Sequence, residues 1–125
     1  MATILIIDDE EGLRKLLHRV LEGAGHNVME ASNGHEGLEL FRRKPADLVI
    51  TDILMPDTDG MATTLELTRE YPSVKVIAMT GAQGDRNFLE VAKRFGAHHT
   101  LMKPFAPEEL REAVRQVLEE EPKAE

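Results

Sequence analysis

Strand-sized aliphatic runs alternate with helix-periodic stretches along this 125-residue chain, and that alternation limits the available folds more than any single residue does. Ile4–Ile7 is a continuous aliphatic run, the pattern of a strand covered on both faces. Leu13, Leu16, Leu17, Val20, Leu21 and Ala24 then recur at helical spacing, with Gly25 as a stop. Asn27–Ala31 reads as a short edge strand. "SNGHE" opens a helix in which Asn33 and Glu36 stand at capping-box spacing; it carries Leu38 and Phe41 and ends near Lys44, before Pro45. Leu48–Asp52 is the next buried strand, and "ILMPDTDG" leads from it into a helix from about Gly60 to Tyr71, closed by Pro72. Val74–Gly81 is strand again. Phe88, Val91, Ala92 and Phe95 mark a helix that Gly96 ends, and "HTLM" is a fifth short strand. Pro107, Leu110, Ala113, Val114, Val117 and Leu118 form the last amphipathic helix, with Glu108 and Glu109 in the first turn, where the helix dipole favours acids.

The order is therefore βαβαβαβαβα. Short loops and regular alternation predict an α/β sandwich of three layers, with a parallel sheet, right-handed crossovers and helices on both faces. The length suits one domain, expected over residues 1–121 with 122–125 as a C-terminal tail. At 42% hydrophobic the chain can build a core. Its net charge of −8 argues against nucleic-acid binding, which needs basic surface. The basic cluster Arg42–Lys44 ends a predicted helix, where it complements the dipole. The apolar runs are too short to span a membrane, the start "MATILIID" lacks a secretory pattern, and there is no cysteine, so a cytoplasmic location is expected.

The first strand runs straight into four acids, Asp8, Asp9, Glu10 and Glu11. In an open α/β sheet, ligands sit beyond the carboxyl ends of the strands. That rule gathers Asp8 and Asp9 after the first strand, Asp52 at the end of the third, Thr80 of the fourth and Lys103 after the fifth. Each has a bland explanation: Asp8 or Asp9 as a helix cap, Asp52 as a loop cap, Thr80 as a β-branched strand residue, Lys103 as a solvated lysine. Taken together, acids, a hydroxyl and a lysine at one rim suit phosphoryl transfer. Carboxylates hold Mg²⁺ or attack phosphorus, and cations and donors stabilise the charge of the transition state.

"DD" after strand one, "DILMPDTDG" after strand three, "TG" after strand four and "KPF" after strand five, in this order, resemble the receiver domain of bacterial response regulators, from Ile4 to about Glu120. The resemblance implies a flavodoxin-like fold with strand order 2-1-3-4-5. It implies that Asp52 accepts a phosphoryl group from a phosphohistidine on a sensor histidine kinase or phosphotransfer protein. Asp8, Asp9, Asp52 and the backbone carbonyl of Leu54 would bind Mg²⁺, with Mn²⁺ as a substitute. Thr80 and Lys103 would each hold a phosphoryl oxygen, the Lys103–Pro104 peptide would be cis, and Gly60 would let the loop enter the third helix. A receiver is not a turnover enzyme; it signals to a downstream protein through the surface of the fourth helix, fifth strand and fifth helix, without touching nucleic acid or membrane directly. Because the chain begins with Met and ends soon after its last helix, a stand-alone receiver is expected.

Two departures carry expectations of their own. Family members have an aromatic ring three residues before the lysine; here that position is Thr100, so the output surface is expected to respond through backbone shifts and His99. The positions two after Asp52 and two after Thr80 are Leu54 and Ala82, which cannot orient an attacking water, so slow self-hydrolysis is expected. Three rival readings fit the residues less well. A flavin carrier must cradle a phosphate after strand one, which "DDEEG" would repel. "MPDTDGMATTLE" has partial EF-hand spacing, but Met55 stands at the first ligand position. A pseudo-receiver without chemistry would not need all five site residues. His98 and His99, adjacent on a strand, point to opposite faces and do not suit a metal; His18, His26 and His35 are dispersed and are given no role.

Overall fold

The structure is a computed structural model that describes residues 2–53, 60–81, 90, 92–94 and 96–120. Its elements run β1 (Thr3–Ile7), α1 (Glu11–Gly23), β2 (Asn27–Ala31), α2 (Gly34–Arg43), β3 (Leu48–Asp52), α3 (Gly60–Glu70), β4 (Lys75–Thr80), α4 (helical at residues 90 and 92–94), β5 (His99–Met102) and α5 (Pro107–Glu119). All strand pairs are parallel and the sheet order is β2-β1-β3-β4-β5, as expected.

Strand alternation divides the core into two halves. Leu5 and Ile7 of β1, Val49 of β3, and Val76 and Ala78 of β4 pack on one face with Leu38 and Phe41 of α2 and Leu67 of α3. Ile4 and Ile6, Leu48 and Ile50, and Ile77 and Met79 face the other way, against Leu17 and Leu21 of α1 and Leu110, Val114 and Val117 of α5. The period of two along a strand sends consecutive aliphatics to opposite faces, and both faces are covered. That is why these runs are unbroken in sequence. Each such side chain removed from water contributes about 1.5–3 kcal/mol.

Local signals set the helix ends. The Asn33 side chain accepts the Glu36 N–H at 2.8 Å, while the Glu36 carboxylate reaches back to the Ser32 N–H at 2.6 Å, one residue earlier than a strict capping box would place it. Gly37 lets α2 lie directly on β1, because a Cβ there would run into the Ile7 side chain. Gly96 has φ of 112°, the left-handed conformation that glycine adopts freely after a helix. Arg42 does more than complement the end of α2: it bridges to Glu66 at 3.0 Å and Glu70 at 2.7 Å on α3.

Candidate phosphoryl and cation site

Sheet register brings the predicted residues to one row. Ile7 pairs with Thr51, Asp52 with Met79 and Thr80 with Met102, so the carboxyl ends of β1, β3, β4 and β5 are level. Main-chain bonds extend the row past the strands: Asp8 N–H to Ala31 at 3.1 Å, Ile53 N–H to Met79 at 2.9 Å and Lys103 N–H to Thr80 at 2.7 Å.

Carboxylate oxygens of Asp8, Asp9 and Asp52 lie within 4.8 Å of one another. Asp8 is fully buried, Asp52 is 6% exposed, and Asp9 faces solvent. Two carboxylates at such a distance repel by roughly 3 kcal/mol at an effective dielectric of about 20. Lys103 offsets part of this: its Nζ lies 2.8 Å from Asp8 Oδ2 and 2.8 Å from Asp52 Oδ2. Burial alone would push that ammonium down, but hydrogen bonds and charge from Asp52 and Asp8 outweigh it and hold Lys103 above the ordinary lysine value. The lysine is therefore charged at neutral pH. One ammonium against three carboxylates still leaves the rim negative, and hard oxygen donors in that arrangement suit a divalent cation.

Thr80 supplies an independent sign. It is fully buried, and among the described residues its Oγ1 has no hydrogen-bond partner. Leaving a buried hydroxyl unsatisfied costs about 1–3 kcal/mol, so the rim suits an acceptor that the described residues do not provide.

The bland reading of Asp8 or Asp9 as a cap of α1 does not hold. The residue at the N-cap is Glu10, with no side-chain cap bond. Asp8 Oδ1 instead accepts the Glu10 N–H at 2.8 Å, just outside the helix, while its other oxygen holds Lys103. The Lys103–Pro104 peptide is cis. Leu54 and Ala82 lie outside the described residues, as does most of "ILMPDTDG". Thr100 sits in β5, half-buried and paired with Ala78. The Val76 N–H donates to His98 Nδ1 at 3.2 Å, which gives that histidine a structural role.

An apolar groove of about 400 Å³ borders Lys103, lined by Leu13, Leu16, Leu17 and Val20 of α1 with Phe105 and Leu110. Leu16 is 49% exposed there. The sequence reading missed a second feature beside the acids: Arg14 and His18 both engage Glu30 on β2. Their i, i+4 spacing on α1, facing the adjacent strand, was the available signal.

Residues 4–115 match the family described as the response regulator receiver domain. Over 121 residues the chain is 40% identical to a probable transcriptional regulator ycf27 from Guillardia theta, covering 97% of this chain and 47% of that protein. The chain thus spans about half the length of such relatives. It is also 34% identical to sporulation initiation phosphotransferase F of Bacillus subtilis, covering 92% of each chain. Among solved structures, a response regulator receiver domain protein from Clostridium thermocellum superposes with a TM-score of 0.88 at 35% identity, over 94% of each chain.

Proposed function

The chain belongs to the response regulator receiver family, and from that premise we propose that it is a phosphorylatable receiver in which Asp52 accepts a phosphoryl group from the phosphohistidine of a sensor kinase or phosphotransfer protein. The observation that carries the proposal is the rim itself: Lys103 bridging Asp8 and Asp52 beside a buried Thr80 hydroxyl that has no partner among the described residues.

In the transfer step an Asp52 carboxylate oxygen attacks phosphorus, forming the O–P bond of an acyl phosphate. The P–N bond to the donor histidine breaks, and its electron pair leaves with the imidazole nitrogen, which takes up a proton. The Lys103 ammonium, already 2.8 Å from Asp52, pairs with one phosphoryl oxygen. The Thr80 hydroxyl donates to another, which satisfies its buried oxygen. Asp8, Asp9 and Asp52, with the Leu54 carbonyl, would hold Mg²⁺ or Mn²⁺, which when bound supplies charge neutralisation for the incoming phosphoryl group. Catalysis is then mainly positioning and electrostatics, consistent with a signalling protein rather than a turnover enzyme.

The apolar groove would seat an apolar helix face of the phosphodonor, because Lys103, which holds the acceptor Asp52, lies on its edge. Output would pass to a downstream protein through the face of α4, β5 and α5, by backbone shifts and His99 where Thr100 replaces the usual aromatic ring. Apolar neighbours at Leu54 and Ala82 would give a phosphorylated lifetime of many minutes rather than seconds. The match to sporulation initiation phosphotransferase F, over 92% of each chain, supports phosphoryl transfer as the chemistry of this chain.

Beryllofluoride with Mg²⁺, followed by NMR, tests the reading. Wild type should shift resonances around Thr80 and Lys103, and Asp52→Asn should show none of these shifts. A pseudo-receiver would give the same unchanged spectrum for both proteins.

A further inference from the structure

Asp8 is engaged at every polar atom. Its N–H donates to Ala31, one carboxylate oxygen accepts the Glu10 N–H and the other meets Lys103. Its carbonyl oxygen accepts Arg14 Nη1 at 2.7 Å. Arg14 is itself fixed, with Nε 2.9 Å from Glu30 Oε1; His18 Nδ1 lies 2.6 Å from the other oxygen of Glu30. The Arg14 and Glu30 side chains are only 13% and 20% exposed. Burial pushes the Glu30 carboxyl up, but hydrogen bonds from His18 and Arg14 more than offset it and hold it below the ordinary range.

We propose that Arg14, clamped by Glu30, is a positioning residue for cation binding: it fixes the Asp8–Asp9 peptide and so sets where the two carboxylates stand. The inference rests on the cation-site reading above and deepens it. The Asp8 carbonyl and the Asp9 N–H share one rigid peptide plane, so a guanidinium holding that carbonyl fixes the direction in which the Asp9 side chain leaves the backbone. Asp9 needs this most, because it is exposed and among the described residues no hydrogen bond or ion pair holds its carboxylate. Lys103 holds Asp8 Oδ2, so cation binding there would require the side chain to change partners while the main chain stays in place; the link to β2 through Glu30 would provide that anchor.

The sign of the electrostatics separates positioning from field. A lone arginine near the acids would repel a divalent cation, so removing it would tighten binding. Glu30 cancels that charge, and the pair contributes geometry at no net charge.

The test is calorimetric titration with Mg²⁺ at one fixed pH on wild type, Arg14→Gln/Glu30→Gln and Arg14→Lys, with the Asp9 amide resonance followed in parallel. The double variant keeps the net charge, and it should bind Mg²⁺ about 10-fold or more weakly with a displaced Asp9 amide in EDTA. Arg14→Lys keeps the charge but not the planar fork, and should fall between the two. Removing the surface pair Arg42–Glu70 as Arg42→Gln/Glu70→Gln controls for stability and should leave Mg²⁺ affinity unchanged. A double variant that binds as tightly as wild type overturns the positioning role while the cation site stands. If the double variant does not fold, Arg14→Lys with wild-type affinity overturns it equally. A wild type that binds no Mg²⁺ removes the cation site, and the positioning role with it.

Discussion

The two ends of the same parallel sheet use their charged residues in opposite ways. At the amino end the polar groups satisfy the backbone. Asp47 Oδ2 accepts the Thr3 N–H at 2.9 Å, His26 Nδ1 accepts the Ala2 N–H at 3.2 Å, and Lys75 Nζ donates to the carbonyls of Leu118 and Glu120 at the end of α5. At the carboxyl end the charges face each other. Three acids gather there, two of them on one lysine, and a buried hydroxyl has no partner among the described residues. The first arrangement is complete within the fold; the second leaves, among the described residues, a buried oxygen without a partner and an excess of carboxylates, as a ligand site would. Stability and function are therefore separable by end, and each substitution below tests that separation.

The largest expected effect belongs to Lys103→Met. Without the ammonium, Asp8 and Asp52 are left facing each other, so chemical denaturation in EDTA should show a loss of about 2–4 kcal/mol. Saturating Mg²⁺ should recover most of that loss, while phosphorylation from acetyl phosphate stays well below wild type. A loss that Mg²⁺ does not reduce would show that the acids hold no cation.

Thr80→Val should separate the two properties most cleanly. It keeps the shape and deletes a hydroxyl that has no partner among the described residues, so stability should be unchanged or rise by about 1 kcal/mol, whereas phosphorylation from acetyl phosphate should slow by about 10-fold or more. Destabilisation by valine would mean that the hydroxyl already serves the fold.

At the other end, Asp47→Ala should cost about 1 kcal/mol through the lost bond to Thr3, read by urea denaturation, and leave phosphorylation untouched. A change in phosphorylation there would break the contrast between the ends.

The smallest effect is the pH dependence of Glu30. Its folded carboxyl lies below its ordinary value of 4.5, so the stability it contributes is fully present above that value and is lost as pH falls through the folded one. Comparing wild type with Glu30→Gln, the stability gap should be under about 1 kcal/mol and should close as pH drops below about 4.5. A gap that widens on acidification would reverse the assigned direction.

The sheet was legible because its strands are buried on both faces. Runs such as Ile4–Ile7 and Leu48–Asp52 cannot be amphipathic, and both were bounded to within a residue. Strand order, by contrast, has no local signal and came from the resemblance. The rim residues were legible through a topological rule, since ends of parallel strands converge whatever lies between them. The Asp8 bond to Glu10 was missed because capping preference is a statement about side chains near a helix start, while Lys103, ninety-five positions away, competes for the same carboxylate. Arg14 and Glu30 were passed over for a related reason: a salt bridge between a helix and a strand depends on how the two pack, and helical spacing alone leaves the facing residue unknown.

Intact-mass spectrometry after incubation with acetyl phosphate and Mg²⁺, followed by peptide mapping, tests the central claim most directly. The account predicts a gain of one phosphoryl group, located on Asp52, absent in EDTA and absent in Asp52→Asn. A phosphoryl group on another residue, or none on wild type under conditions where Mg²⁺ binds, would contradict it.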